Sequence, residues 1–442
     1  MSVVSAAQTD DAYHNVNFAV LLEELCEESA RCHLTGSEIC RKWTGTKRRG
    51  IVLEFSFTPE QQAIRNSAQR LVAREIEPVL AVHDPDAPLP KPAFLGILSA
   101  IAGLGLTAAR LPPSLGGPGI SMLEYGIAFE PLPASVAVSL AAHEATISRL
   151  GTECNEKQRG RLLPDLIAGR KICCTGSTEP DTGSDPRGVR ARLTGTADGL
   201  VLNGRKMWIT NVSVCDVALV TCIDARRGQS GHRVVKVIVE RERSPFEARE
   251  TDTIGLRQGY LGECAFADCP IPAENVIESE RGGTEALKAS WAVNRPLFGL
   301  VAVNLAERAY LAALDYAKAR RQFGKPIAAH QLIQKNLSDI ATAITASRLL
   351  CYSALATADA GLPAAGVAAM AKRFAQTHCQ DAVFQAMNVL GAMGLSKEAG
   401  LERFYRDIRM IPVPDGTNEI LALIHGRELT GMEAFRGAPV PA

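Results

Sequence analysis

Aromatic residues make up only 5% of this 442-residue chain, and its 48 Lys+Arg are matched by 48 Asp+Glu. Without a surplus of positive charge, nothing draws the chain to nucleic acid or to anionic lipid. No apolar run reaches the length of a bilayer span without an intervening Gly, Pro or charge, which argues against a membrane protein. The 12 cysteines are scattered singly apart from Cys173-Cys174, and no C-x-x-C pair occurs. Neither zinc nor a disulfide framework is indicated, so buried thiols in a reducing cytoplasm are expected. Internal repeats and low-complexity tracts are missing too. These exclusions leave a soluble, cytoplasmic protein of two or three globular domains.

Residues 1–53 do not match the rest and read as a loosely attached extension, or as read-through upstream of a start near Val52. Phe18 to Cys32 is patterned as an acidic amphipathic helix. The basic residues Lys42, Lys47, Arg48 and Arg49 follow it, the reverse of a signal peptide's order. Cys26, Cys32, His33 and Cys40 fit no zinc spacing, so no metal is expected.

From Thr58-Pro59-Glu60-Gln61, a capping signature with Pro at the first helical position, the period is helical and the first helix is expected to end at Pro78. Residues 54–172 read as an all-α domain. Residues 173–281 change toward a period of two, with strand-like runs at Leu200 to Leu202, Val217 to Cys222 and Val234 to Val239 separated by Asp198-Gly199 and Asn203-Gly204. This predicts a small antiparallel β domain. Residues 282–437 return to the helical period in long segments at 284–320, 329–359, 365–391 and 396–409, sized for a four-helix bundle. The fold class is therefore α+β.

The chemistry concentrates on Arg409 to Ile420. Pro412 and Pro414 stiffen the chain, Asp415-Gly416 turns it, and Thr417-Asn418 opens a helix. A carboxylate on a stiff loop beside free backbone N–H groups is either a catalytic base next to an oxyanion site or a plain turn-and-cap aspartate. Four other segments bear on the choice. Thr175 to Asp185 is rich in Gly and small hydroxyls. Lys206 to Asn211 places Trp208 and Thr210 two apart, a ring wall and a hydroxyl on one strand face. Arg320 to Pro326, with Gln331, ends the first bundle helix. Leu390-Gly391-Ala392-Met393-Gly394 leaves room for a bulky group.

In this order, between an all-α domain and a bundle, these segments resemble the acyl-CoA dehydrogenase flavoprotein family, from about Phe55 to Phe435. The resemblance implies FAD between the β domain and the bundle, and a homotetramer whose neighbouring subunit completes each flavin site. It implies that Thr178 and Ser184 bind the flavin ring and pyrophosphate side, and that Trp208, Ile209 and Thr210 flank the isoalloxazine. Arg320, Phe323, Gln331 and the turn Asn388, Leu390, Gly391, Ala392 would reach the dinucleotide from across a dimer, and Thr417 and Glu419 would touch its adenosine side. Ser184, Arg295 and Gly416 would line the acyl-CoA path. Asp415 falls where the family's catalytic glutamate stands, and the family's carbonyl donors would be this residue's own N–H and a ribityl hydroxyl of FAD.

Several positions depart from the pattern. Asp is one methylene shorter than Glu, about 1.5 Å. Pro414 replaces an aromatic residue, and Asn388 and Ala392 stand for the usual Gln and Gly of the flavin turn. In some members the base precedes the arginine matching Arg295, but here that position is Asn294, which cannot serve. The ending Leu423 to Gly431 looks most like the glutaryl-CoA dehydrogenase branch. That branch needs a buried arginine for a distal carboxylate, and Glu130 to Ser148 contains none, which speaks against a dicarboxyl substrate.

The expected activity is α,β-desaturation of an acyl thioester on CoA or on an acyl-carrier protein, with electrons passed to an electron-transfer flavoprotein. A nitroalkane-oxidase-like flavoenzyme with an Asp base is the rival, disfavoured by the Gly-Thr after Asp415. A non-catalytic flavin scaffold binding DNA or a partner is disfavoured by the balanced charge.

Overall fold

A computed structural model of the chain describes residues 56–184, 188–227, 233–277, 283–432 and 434, with side chains in the fourth stretch from Ser290 onward. The extension, its expected Phe18 to Cys32 helix and the thiols within it lie outside the described residues.

Six helices form the first layer: α1 Pro59–Leu71, α2 Glu77–Val82, α3 Lys91–Ala102, α4 Met122–Phe129, α5 Ala134–Glu153 and α6 Glu156–Ile167. Thr58 and Gln61 close a reciprocal capping box on α1. The chain does not stop at Pro78 as the sequence suggested. A π turn over Val72–Ile76 joins α1 to α2, and Pro78 sits in the first turn of α2, where a missing N–H costs nothing.

The central sheet is built from β1 Cys173–Gly176, β2 Arg192–Thr196, β3 Gly199–Thr210, β4 Val217–Asp224, β5 Arg233–Glu240, β6 Glu247–Glu250, β7 Leu261–Ile271 and β8 Val276–Ile277. Its order is β6-β7-β3-β2-β4-β5-β8, with β1 also on β4. It is not wholly antiparallel. β1 and β2 both run parallel to β4, one after the other along the same edge, pairing Cys173 with Val217 and Arg192 with Ile223. Long connections reach those positions, and only such connections allow parallel neighbours.

The bundle comprises α7 Gly283–Ala319, α8 Gln331–Asp359, α9 Ala365–Leu390, α10 Leu401–Met410 and α11 Asn418–Thr430. A small hairpin, β9 Arg321–Gln322 with β10 Lys325–Pro326, separates α7 from α8. The buried Leu297, Leu300, Val301, Leu305, Ala309 and Ala313 make α7 the core helix. A Cβ on Gly299 would meet Cys351 Sγ at 2.4 Å, so Gly is what lets α7 and α8 approach. By length and composition, Ser290–Ala319 and Gln331–Asp359 are apolar enough to cross a bilayer, contrary to the sequence expectation. Packing explains the first of them, most of whose apolar window is buried among its neighbours, since burial among helices demands the same composition that a membrane does.

Candidate active site

The loop between α10 and α11 carries the carboxylate. Asp415 has φ of 54° and Gly416 of 109°, both in the left-handed region, so the turn reverses over two residues. Thr417 then caps α11 through its side chain, and Glu419 occupies the first helical turn. Three consecutive carbonyls of this loop are held from the protein side. Lys372 Nζ of α9 donates to Pro414 O and, at 3.0 Å, to Gly416 O. Arg295 Nε of α7 donates to Asp415 O at 3.1 Å. A peptide's N–H points opposite to its C=O, so the N–H groups of Asp415, Gly416 and Thr417 face away from these cations. None of the three finds a backbone acceptor among the described residues. Asp415 Oδ2 is buried and makes no hydrogen bond to a described residue.

The charges around it are unusually dense. Arg110 is held by Glu144, which accepts its backbone N–H at 3.0 Å and its Nε at 2.6 Å, and reaches Asn294 Oδ1 at 2.9 Å and Ser290 Oγ at 3.3 Å. Burial works against the Arg110 charge, but Glu144 outweighs it and the pKa rises. Arg149 Nη2 also donates to Ser290 Oγ, at 3.1 Å, while its buried Nε has no partner among the described residues. Burial lowers the Arg149 pKa, and the field of Asp415 only partly compensates. The same two causes act on Arg295, whose guanidinium lies 5.3 Å from the centre of the Trp291 ring. Burial pushes Lys372 down to about 7, against Asp415 and with help from Arg295. The Tyr125 hydroxyl, buried without a partner among the described residues, is driven well up by burial and by Glu144.

A second group forms in the sheet. β3 bulges against β7 between Lys206 and Ile209, and the bulge turns Met207 and Trp208 outward in succession. Trp208 adopts a φ of 58° and is 52% exposed, a conformation a bulky residue holds only under constraint. Thr210 follows on the outer side, whereas the Ile209 side chain enters the core and its backbone pairs with Gly262 of β7, so the Ile209 side chain does not reach a ligand on that face. Met207 N donates to Thr178 O at 3.1 Å, bringing the hydroxyl-rich turn beside the ring. Ser184 is exposed near the end of that turn.

The remaining nominated residues do not join either group. Arg320, Phe323 and Gln331 project from the α7 to α8 hairpin, with Phe323 93% exposed and again at positive φ, 51°. Asn388, Gly391 and Ala392 lie exposed at the end of α9, with Leu390 buried. No hydrogen bond, ion pair or ring contact among the described residues links these two places to Asp415.

Sequence reasoning missed Lys372, Arg110, Glu144 and Arg149. The arginine-free window from Glu130 to Ser148 was too narrow, because Arg110 and Arg149 flank it. Lys372 left a signal, a lone cation on the Ala-rich stripe of Ala368, Ala371 and Ala375.

Three family models match the chain in order: the acyl-CoA dehydrogenase N-terminal domain at residues 58–170, the middle domain at 174–269 and the C-terminal domain at 281–430. Benzylmalonyl-CoA dehydrogenase of Aromatoleum aromaticum is 32% identical over 86% of this chain and 100% of its own. The structure of butyryl-CoA dehydrogenase from Megasphaera elsdenii superposes with a TM-score of 0.78 at 29% identity, covering 85% of this chain and 100% of that one. A glutaryl-CoA dehydrogenase from Mycobacterium smegmatis in complex with FADH2 gives 0.78 at 25% identity, over 86% and 97% of the two chains. The chain belongs to the acyl-CoA dehydrogenase family, and it is an oxidoreductase of that family.

Proposed function

We propose that the protein is an FAD-dependent acyl-CoA dehydrogenase in which Asp415 removes the α-proton of a thioester. The observation that carries this reading is the Asp415 carboxylate, whose Oδ2 is buried with no partner among the described residues, on a turn whose carbonyls at 414, 415 and 416 are held by Lys372 and Arg295 while the N–H groups of 415, 416 and 417 find no backbone acceptor among the described residues. An α-proton of a thioester is weakly acidic, so a carbonyl oxygen must be stabilised as the proton leaves. The Asp415 N–H is the donor this chain offers, next to the acceptor for the proton.

The residues present fit FAD. Trp208 supplies an exposed ring wall, Thr210 a half-buried hydroxyl two residues on, and Thr178 another on the turn that Met207 N–H holds beside this strand. When bound, FAD accepts the β-hydrogen with its electron pair, leaving a carbon–carbon double bond. Arg320, Phe323 and Gln331 are exposed on the protomer, which fits a role in a neighbouring copy's flavin site within a homo-oligomer. An electron-transfer flavoprotein is the proposed acceptor, and the cytoplasm the proposed location.

Arg149 supports a finer reading. A buried guanidinium held by Ser290 at Nη2, with Nε left without a partner among the described residues, and within electrostatic reach of Asp415, favours an acyl group that is polar at its far end over a plain alkyl chain. Anaerobic mixing with butyryl-, hexanoyl-, octanoyl- and glutaryl-CoA, read by loss of flavin absorbance, tests both. Bleaching by at least one thioester is expected. A protein that takes up no FAD, or one bleached by nitroalkanes and by no thioester, overturns the assignment; preference for octanoyl-CoA removes the finer reading.

A further inference from the structure

The base loop is strained and needs something to hold it. Asp415 at φ of 54° is a conformation that a non-glycine residue visits at a cost, and it persists where the surroundings over-determine it. Lys372 has no exposed surface, and its Nζ is shared between the carbonyls on either side of Asp415. The Phe298 ring closes it off, with Nζ 5.8 Å from the centroid. One turn along α9, Gln376 Nε2 donates to Asn418 Oδ1 and fixes the start of α11. Among the described residues no carboxylate lies within ion-pair distance of Lys372; the charged groups that face it are Asp415 from the loop and Arg295 from α7.

We propose that Lys372 is the positioning residue of the catalytic base: it turns the carbonyls of residues 414 and 416 inward, which aims the Asp415 carboxylate and the loop N–H groups at the thioester, and it sets the charge beside that carboxylate. The inference rests on the reading of Asp415 as the base. A neutral amine keeps two N–H donors, one for each carbonyl, so the clamp survives deprotonation. The charge does not. Burial brings the Lys372 deprotonation to about 7, so a positive charge leaves the neighbourhood of the proton acceptor as pH rises through neutrality.

The test uses the FAD-loaded full chain, with Lys372→Met, which keeps length and loses both donors, and Asp415→Asn in parallel. Flavin content, the spectral perturbation on adding butyryl-CoA or whichever thioester bleaches the wild type, and the anaerobic reduction rate are measured from pH 6 to 8. Lys372→Met should keep FAD and KM within about twofold, while reduction slows by roughly 10- to 100-fold, the range expected for a misaimed group. In the wild type the rate should rise through a step near pH 7 that the variant lacks. A wild-type rate and profile in Lys372→Met overturns the proposal, and so does a slower rate that keeps the step. Should Lys372→Met not fold, Lys372→Gln, which keeps N–H donors on a shorter arm and removes the charge, takes its place, and a wild-type rate and profile in that variant overturns the proposal. If instead Asp415→Asn reduces flavin at the wild-type rate, it is the base assignment that falls.

Discussion

Lys206 in the sheet and Lys372 in the bundle are both fully buried, yet their surroundings differ in kind. Lys206 Nζ meets Glu179 Oε1 at 2.7 Å and Ser177 O at 3.2 Å, and Glu179 spends its other capacity on the N–H groups of Arg190 and Ala191 at 2.7 and 3.0 Å. Every charge there has a partner of opposite sign. Among the described residues Lys372 has carbonyls only as hydrogen-bond partners, and the Asp415 carboxylate is left to do something else. A closed pair anchors: Lys206 ties the turn of Thr178 to the strand of Trp208. An unfinished one leaves charge available to a reaction, and this is the physical difference between a structural and a functional buried lysine.

The comparison is broken hardest by Lys206→Met, which strands Glu179. A loss of about 3–5 kcal/mol in unfolding free energy is expected from orphaning a buried charge, with flavin lost alongside. Denaturant unfolding checks it; a cost no greater than that of Lys372→Met would erase the distinction.

A third buried group sharpens the rule that closed sites serve stability. His143 contacts Leu166 O at 3.0 Å and Cys173 N at 3.1 Å, and burial lowers its pKa to about 4. From pH 6.5 down to about 4 the unfolded chain binds a proton that the folded one refuses. Stability is therefore full above pH 6.5 and falls on acidification through that window, by roughly 3 kcal/mol. His143→Gln should flatten this part of the pH dependence in thermal or denaturant unfolding.

Asp415→Asn belongs to the open site. Thioester binding and FAD content should persist, with reduction slower by about 10²-fold or more, near 2.7 kcal/mol, in stopped-flow absorbance. Asp415→Glu tells whether the loop was shaped around the shorter side chain: a lower rate says yes, an equal or higher one says no. The smallest effect is expected for Arg320→Ala, about a tenfold weaker FAD affinity with an unchanged fold, measured by flavin release on dilution. Unchanged affinity would remove Arg320 from the flavin site.

Features set by neighbours three or four residues apart were legible in the chain itself. The Thr58 capping box, the Asp415-Gly416 turn, the Thr417 cap and the switch from helical to strand period and back are all local, so composition and spacing suffice to read them. The nomination of Trp208, Phe323 and Asp415 was legible too, through resemblance, and each proves to be a non-glycine residue at positive φ. The strain itself was not, because a bulge or a clamped loop is imposed from outside. Tertiary structure alone decided that Pro78 joins two helices, that β1 and β2 lie parallel to β4, and that Arg110 and Arg149 reach Ser290. It alone brought Lys372 and Arg295 to the base loop, across 42 and 120 residues of sequence. Pairings at such separations depend on how whole helices pack, and no window of a single sequence carries that information.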